Sequence, residues 1–505
     1  MSRHVAFFNI PALGHLYPTL AVVAELTRRG YRVSYTSTDA RAPMIEAVGA
    51  TLVPYLSSRP TENETWDPAP DRSEYLAHSL LSFLEEAELT LPQVEPVFDA
   101  DPPDLVVYDR LSFAGRAFAA RHRIPAVQSW PMLVSNEHWS LFRDVAPFDA
   151  GNPTFLTYLA KLAAFLSTQG LRIAAEDFLD EPAPVLDLCY YPRAFQYRGE
   201  RFDDRYRFVG PCPRPSTGTG WTRPADGTPL ALVALGTLDN RHPEFFHACV
   251  EAFTAPGWHA VLAIGERLDP AAFRPHPAHV EIHQVVAQPD VLAHARAMVC
   301  HAGLNSVMEA LYHGVPLVVV PRTLEQESNA ARVVELGLGV ALPPDGVSAG
   351  LLRETVDRVA ADPRIAQRVR ELRGQMREAG GAVAAADAIE SALAQDPPQD
   401  PPHGPSTRPP AATGIPALTP TGLRRRLAEL VVAACDGEVG VDQVLAAGSL
   451  VLIGVGSLAS LRIIDAVETE FGLPLDIEDD PSFLDSVDGL AAHLLRQGLR
   501  VDSPG

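Results

Sequence analysis

The sequence predicts an α/β protein of two doubly wound lobes, each a parallel sheet covered by helices, with a small four-helix bundle behind them. Three observations predict this. Short apolar runs alternate with helical patterns over residues 1–130, and the same rhythm restarts at Leu230, which is the pattern of parallel sheets with crossover helices. A run of turn formers, Gly210 to Gly220, separates the two stretches. Finally, Asp396 to Pro420 carries nine prolines and can form neither a helix nor a sheet ladder, so the residues beyond Pro420 make a separate unit on an extended spacer. At 505 residues the chain is also too long for one core. The expected division is 1–212 for the first lobe, 213–228 for a hinge, 229–395 for the second lobe, 396–420 for the linker and 421–498 for the bundle.

The elements come in order along the chain. Val5–Ile10 reads as a buried first strand rather than the apolar core of a secretory signal, since it is short and has no cleavage pattern after it. A helical pattern over His15–Arg28, a strand at Tyr31–Thr36 and a helix over Asp39–Val48 continue the lobe. Then come a strand at Asp104–Tyr108, a helix over Phe113–Arg121 and a strand at Ala126–Ser129. In the second lobe the strands are predicted at Leu230–Leu235, His259–Ile264, Met298–Cys300 and Leu317–Val320. Helices over Gly422–Ala434, Ser457–Phe471 and Val487–Arg496, with a short one after Pro481, make the bundle. Ligands in doubly wound sheets bind beyond the carboxyl ends of the strands, which makes the cleft between the lobes the expected site.

Composition narrows the function. A net charge of −22 argues against a nucleic acid or an anionic membrane as partner. No apolar run approaches the roughly 18 residues of a spanning helix. Five dispersed cysteines without a C-x-x-C pair predict neither a disulfide framework nor a zinc site. Sixteen histidines lack metal-ligand spacing, so no metal is expected, and a reducing cytoplasm is the expected location. Neither lobe has G-x-G-x-x-G after its first strand, which disfavours a nicotinamide or flavin dehydrogenase, and a P-loop is missing too.

The most informative segment is His301-Ala302-Gly303-Leu304-Asn305-Ser306-Val307-Met308-Glu309, between an apolar strand and a helical pattern. A small-residue turn at a helix N-terminus offers unpaired N–H groups and the positive dipole end to an anion. Gly303 lets a phosphate approach, Ser306 adds a hydroxyl, and the Glu309 carboxylate can accept from ribose hydroxyls. This run resembles the nucleotide-binding signature of plant secondary-product and bacterial macrolide glycosyltransferases, which have the GT-B fold of two Rossmann-like lobes. Gln288 upstream, Thr237 in Leu235-Gly236-Thr237, and Pro321 to Ala330 downstream fit the same family, and the resemblance spans residues 4–395. It implies donor nucleotide and phosphate roles for Thr237, Gln288, His301, Gly303, Asn305, Ser306 and Glu309, and donor-sugar roles for Glu325 and Gln326. The chain departs from the family at Val285, where relatives stack a Trp on uracil, at Ala287 for Pro and at Glu325 for Asp. The choice between uridine and thymidine diphosphate therefore stays open.

After the first strand, Gly14-His15-Leu16-Tyr17-Pro18 resembles the family's G-H-x-x-P element, whose His is the general base. Attack of a hydroxyl on an anomeric carbon needs its proton removed, and imidazole is suited to that. Asp109, at the end of a strand leaving the sheet at the same edge, is the expected orienting acid; its alternative is a helix N-cap before Leu111-Ser112-Phe113. The implied reaction is one in-line displacement with inversion from a nucleotide sugar, with no cofactor for the transfer itself. Trp66, Tyr75, Phe83, Trp130, Trp139, Phe142, Phe148, Phe155, Tyr158 and Phe165 fall in the acceptor lobe, where some would line an apolar aglycone pocket and most would be core.

In the bundle, Gly456-Ser457-Leu458 opens a helix and resembles the attachment site of acyl and peptidyl carrier proteins, which implies a 4′-phosphopantetheine arm on Ser457. Gly456 stands where acyl carriers have Asp, and docking alone, or Ser457 as a plain N-cap, is the alternative. A polyketide or peptide synthase and a phosphopantetheinyl transferase are the partners this implies. The readings are transfer of a sugar to a hydroxyl of a secondary metabolite, resistance by capping a toxic macrolide, and a non-catalytic scaffold for a synthase.

Overall fold

A computed structural model describes residues 2–59, 72–136, 138–145, 152–171, 178, 186–213, 221–224, 227–236, 242–394, 419–435, 439–450 and parts of 455–499. Thr237, Trp66, Phe148, Ser457 and residues 396–418 of the Pro-rich linker lie outside these residues. The chain divides into two compact units. The first is Met1–Asp67, Glu86–Ala146 and Pro182–Pro397; the second is Pro68–Glu85, Pro147–Glu181 and Pro398–Gly505.

The first unit holds two parallel sheets. One is built from β1 (His4–Phe8), β2 (Arg32–Ser37), β3 (Thr51–Pro54), β4 (Leu105–Asp109), β5 (Ala126–Trp130), β6 (Leu186–Cys189) and β7 (Tyr206–Phe208), in the order β3-β2-β1-β4-β5-β6-β7. The other consists of β8 (Leu230–Ala234), β9 (His259–Ala263), β10 (Val280–His283), β11 (Ala295–Cys300), β12 (Leu317–Val319) and β13 (Gly339–Ala341), in the order β10-β9-β8-β11-β12-β13. Every pairing is parallel, with Val5 opposite both Val33 and Leu105 and with Val299 opposite Val233. The strand order reverses between β1 and β4 and again between β8 and β11. The carboxyl ends of the strands at such switch points are where doubly wound sheets bind their ligands.

The strands are apolar because helices cover both faces. Val5, Phe7, Val33, Leu105 and Val107 pack on Leu16, Val22, Val23 and Leu26 of the helix Leu13–Arg28. Gly115 lets the helix Phe113–His122 come down onto the sheet at the switch point, since a Cβ there would lie 2.8 Å from Tyr108 Cβ. In the second sheet, β8 and β11 contribute to cores on both faces: Leu232, Met298 and Cys300 on one, Val233, Ala297 and Val299 on the other. The last helix of the expected second lobe, Gly381–Leu393, packs through Ala385, Ala386 and Ile389 into the first sheet's core. Its apolar face matches the helix Leu13–Arg28, so by packing it belongs with the first lobe and not with residues 229–380.

In the second unit, Asn152 caps the helix Pro153–Thr168 and its Nδ2 donates to Glu74 at 2.8 Å. Helices Pro420–Ala434, Val441–Ala446 and Val487–Arg496 contribute Leu427, Val431, Val444, Leu490 and Leu494 to one apolar cluster. Among the described residues no helix is long and apolar enough to cross a membrane.

Candidate active site

The two switch points supply the site. The chain leaves β1 through Pro11 and Ala12 and enters a helix whose third residue is His15. Asp109 is the last residue of β4 and is 1 % exposed. His15 Nδ1 and Asp109 Oδ2 are 2.7 Å apart. The other carboxylate oxygen accepts from Leu111 N–H at 2.8 Å, so both oxygens of this buried acid are satisfied. Ser112, not Asp109, caps the next helix by accepting from Gly115 N–H. The N-cap alternative for Asp109 is thereby removed, and the carboxylate is free to orient an imidazole.

Burial works against a charged His15, yet the charge and hydrogen bond of Asp109 and the charge of Glu325 outweigh it and, against Arg59, carry the pKa above the ordinary 6.5. With Nδ1–H directed at Asp109, Nε2 is left as the basic nitrogen. A buried polar chain steadies the backbone behind it. Asn9 Nδ2 donates to His15 O at 3.0 Å and to Tyr35 Oη at 2.7 Å, and Tyr35 Oη meets Thr19 Oγ1 at 2.6 Å.

The second switch point carries the His301–Glu309 run. His301 comes directly after β11, and its ring lies against Gly236 just after β8: a Cβ on Gly236 would sit 2.5 Å from His301 Cε1. Gly303 is similarly pressed against the ring and forms the N-cap of the helix Leu304–His313. Gln288, Ser306 and Glu309 come together, Gln288 Nε2 donating to Glu309 Oε2 at 2.7 Å and to Ser306 Oγ at 3.4 Å. Val285 nearby in sequence is 65 % exposed.

Two residues sit differently from their expected roles. Asn305, expected at the phosphates, donates through Nδ2 to Gly14 O in the other lobe. That carbonyl is available because Pro18, four residues on, has no N–H to offer it. Gln326, expected on the donor sugar, closes a capping box with Thr323: its Oε1 accepts from the N–H groups of Arg322 (2.9 Å) and Thr323 (3.3 Å). Glu325 lies in the first turn of the same helix, Leu324–Glu335. Burial pushes its carboxyl above the usual range, while the charge of His15 and the amide of Asn329 pull the other way. The donor-lobe acid and the acceptor-lobe base thus lie close enough for each charge to be felt by the other. The helix is held to the first lobe by Arg332, which donates to the carbonyls of Ala194, Phe195 and Gln196, and by Tyr197, which donates to Ser328 O at 2.9 Å.

Several of the acceptor-lobe aromatics belong to the interior, as expected for most of them. Trp130 donates to Asp187 at 2.7 Å, Trp139 stacks on Tyr197 at 4.9 Å, and Phe155, Tyr158 and Phe165 are buried. One group that spacing does not reveal, Glu95, Asp99 and His122, brings ligand-type atoms within 4.8 Å of one another among the described residues. It lies at the far end of the helix Phe113–His122 from Asp109, and Arg121 already pairs with Glu95 at 2.9 Å.

A base–acid pair at one switch point facing a small-residue turn and a carboxylate at another defines a two-lobed group-transfer enzyme with a nucleotide-type donor lobe. The known proteins it resembles narrow this. The profile of the erythromycin biosynthesis protein CIII-like C-terminal domain matches residues 259–384. The NDP-glycosyltransferase YjiC of Bacillus licheniformis is 38% identical over 395 residues, covering 78% of this chain and 98% of that enzyme. Demethyllactenocin mycarosyltransferase of Streptomyces fradiae is 39% identical over 401 residues, 77% of this chain and 86% of that enzyme. The crystal structure of CalG4, the calicheamicin glycosyltransferase, superposes with a TM-score of 0.71 at 38% identity, covering 79% of this chain and all of that one. The chain belongs to the GT-B glycosyltransferases of the macrolide and natural-product type, and it is an enzyme of that kind.

Proposed function

We propose that the protein transfers a sugar from a nucleoside diphosphate donor to a hydroxyl of a macrolide-type natural product, with inversion at the anomeric carbon. The observation that carries this reading is the His15–Asp109 pair set against Glu325. His15 Nε2 takes the proton of the acceptor hydroxyl as its oxygen attacks the anomeric carbon. The bond to the diphosphate breaks in the same step. Asp109 keeps Nδ1–H in place and stabilises the imidazolium that forms. The N–H groups at His301–Ser306 and the positive end of the helix Leu304–His313 receive the departing diphosphate. Glu309 and Gln288 hold the ribose and base, Thr237 a phosphate, and Glu325 the hydroxyls of the sugar. Asn305, bonded to Gly14, holds the lobes together over the substrates. Relatives such as the demethyllactenocin mycarosyltransferase and the oleandomycin glycosyltransferase support a macrolide acceptor.

The experiment is the anomeric configuration of the product. An α-linked TDP- or UDP-sugar should give a β-glycoside by NMR; retention would mean a covalent sugar intermediate and a different role for His15. On its sequence alone, the C-terminal segment is read as a carrier-like unit bringing an acceptor or acyl group within reach. Intact mass after incubation with coenzyme A and a phosphopantetheinyl transferase, with Ser457→Ala as control, separates an arm from a docking role.

A further inference from the structure

Asn329 belongs to none of the roles above, yet it is completely buried, on the inner face of the helix Leu324–Glu335. Its Nδ2 donates to Ala302 O at 3.0 Å and lies 3.5 Å from Glu325 Oε1. Ala302 is the residue that turns the chain from β11 into the helix Leu304–His313, and it does so at φ +66°. An L-residue with a Cβ avoids that region, where glycine is the ordinary occupant. Ala302 is buried as well, so its carbonyl has no water to turn to. The amide is oriented by its neighbour: with Oδ1 in place of Nδ2, two carbonyl-type oxygens would face each other. The helix behind Asn329 is itself fixed by Arg332 and Tyr197.

We propose that Asn329 is a positioning residue that holds the His301–Gly303 turn in its anion-receiving shape and ties it to Glu325, the carboxylate on the donor sugar. One side chain then sets the distance between the diphosphate site and the sugar site. This rests on the reading of the turn as the diphosphate site. Without the amide, Ala302 relaxes toward negative φ, His301 swings off Gly236, and the N–H groups of the turn no longer converge.

The test is binding of TDP and UDP by calorimetry to the full chain, in the wild type, Asn329→Ala, and the double variant Ala302→Gly with Asn329→Ala. Releasing an αL alanine is worth about tenfold in a linked equilibrium. Asn329→Ala should therefore bind the nucleotide about tenfold more weakly and raise the donor KM, with the acceptor KM unchanged. Glycine adopts φ +66° without a clamp, so the double variant should recover most of that loss. Unchanged binding in Asn329→Ala overturns the proposal, and so does a loss that Ala302→Gly fails to recover. Should Asn329→Ala not fold, Asn329→Asp keeps the shape. Relative to wild type, it should bind weakly at pH 8 and regain affinity toward pH 5, where a carboxylic acid can again donate to Ala302 O; a pH-independent deficit overturns the proposal. Wild type that binds neither nucleotide would refute the diphosphate reading itself.

Discussion

Asp187→Asn should stabilise the first lobe at neutral pH and do so less and less as the pH falls. Asp187 lies in the middle of β6, fully buried. One oxygen accepts from Trp130 Nε1 at 2.7 Å and Gln128 Nε2 at 3.2 Å; the other has no partner among the described residues, and neither has Gln128 Oε1. Burial raises its pKa to about 6 from the ordinary 3.8, against the pull of Trp130 and the Arg205, Arg110 and Arg116 charges. The folded state thus binds more protons than the unfolded state between those two values, and stability declines as pH rises through that window. Two pKa units correspond to about 3 kcal/mol of cost to the ionised form. An amide keeps the acceptor for Trp130 and offers its NH2 to Gln128 Oε1, so most of that cost should be relieved. In a lobe of this size each kcal/mol is worth about 2–4 °C in Tm. Thermal unfolding of both proteins at pH 8, 6 and 4 should show a rise of several degrees at pH 8 that shrinks toward zero at pH 4. A gain that is the same at every pH, or a loss at pH 8, would refute the argument.

The site carries further expectations. Asp109→Asn should lower kcat by about 10²- to 10⁴-fold, as loss of oriented acid–base catalysis does. Because Asp109 and Glu325 raise the His15 pKa and a base acts deprotonated, the acidic limb of the wild-type pH–rate profile should lie above pH 6.5 and move down in the variant. Glu309→Ala should raise the donor KM several-fold or more while the acceptor KM stays put, since it removes a charged partner of the ribose and strands Gln288. Val285→Trp, at an exposed position beside the base site, should tighten UDP binding about three- to tenfold by adding an aromatic platform. A variant that binds UDP no better would show that the base lies elsewhere.

Much of the fold and site is legible from residues. Runs such as Leu105-Val106-Val107-Tyr108 and Leu230-Ala231-Leu232-Val233 have to be buried parallel strands, and their ends mark the switch points that place His15, Asp109 and His301. The short strands are harder. Leu186-Asp187-Leu188-Cys189 hides a buried acid in an apolar run, and Thr51–Pro54 and Gly339–Ala341 sit at or near sheet edges with little apolar signal. The long helix Arg72–Ala100 contains Pro92 and Pro96, which argue against it locally. The capping box at Thr323 and Gln326 is spelled T-x-x-Q, yet the family resemblance draws Gln326 to the sugar instead. Nothing local announces that Ala302 is left-handed or that Gly14 O meets Asn305, because both depend on contacts between residues hundreds of positions apart or on different elements.

The most direct test of the account is His15→Ala in a transfer assay. Wild type or variant is incubated with a TDP- or UDP-sugar and a macrolide aglycone, the glycoside is detected by mass, and TDP binding is measured in parallel. Turnover should fall about a hundredfold or more in the variant with nucleotide binding intact. Turnover at the wild-type rate in His15→Ala would contradict it.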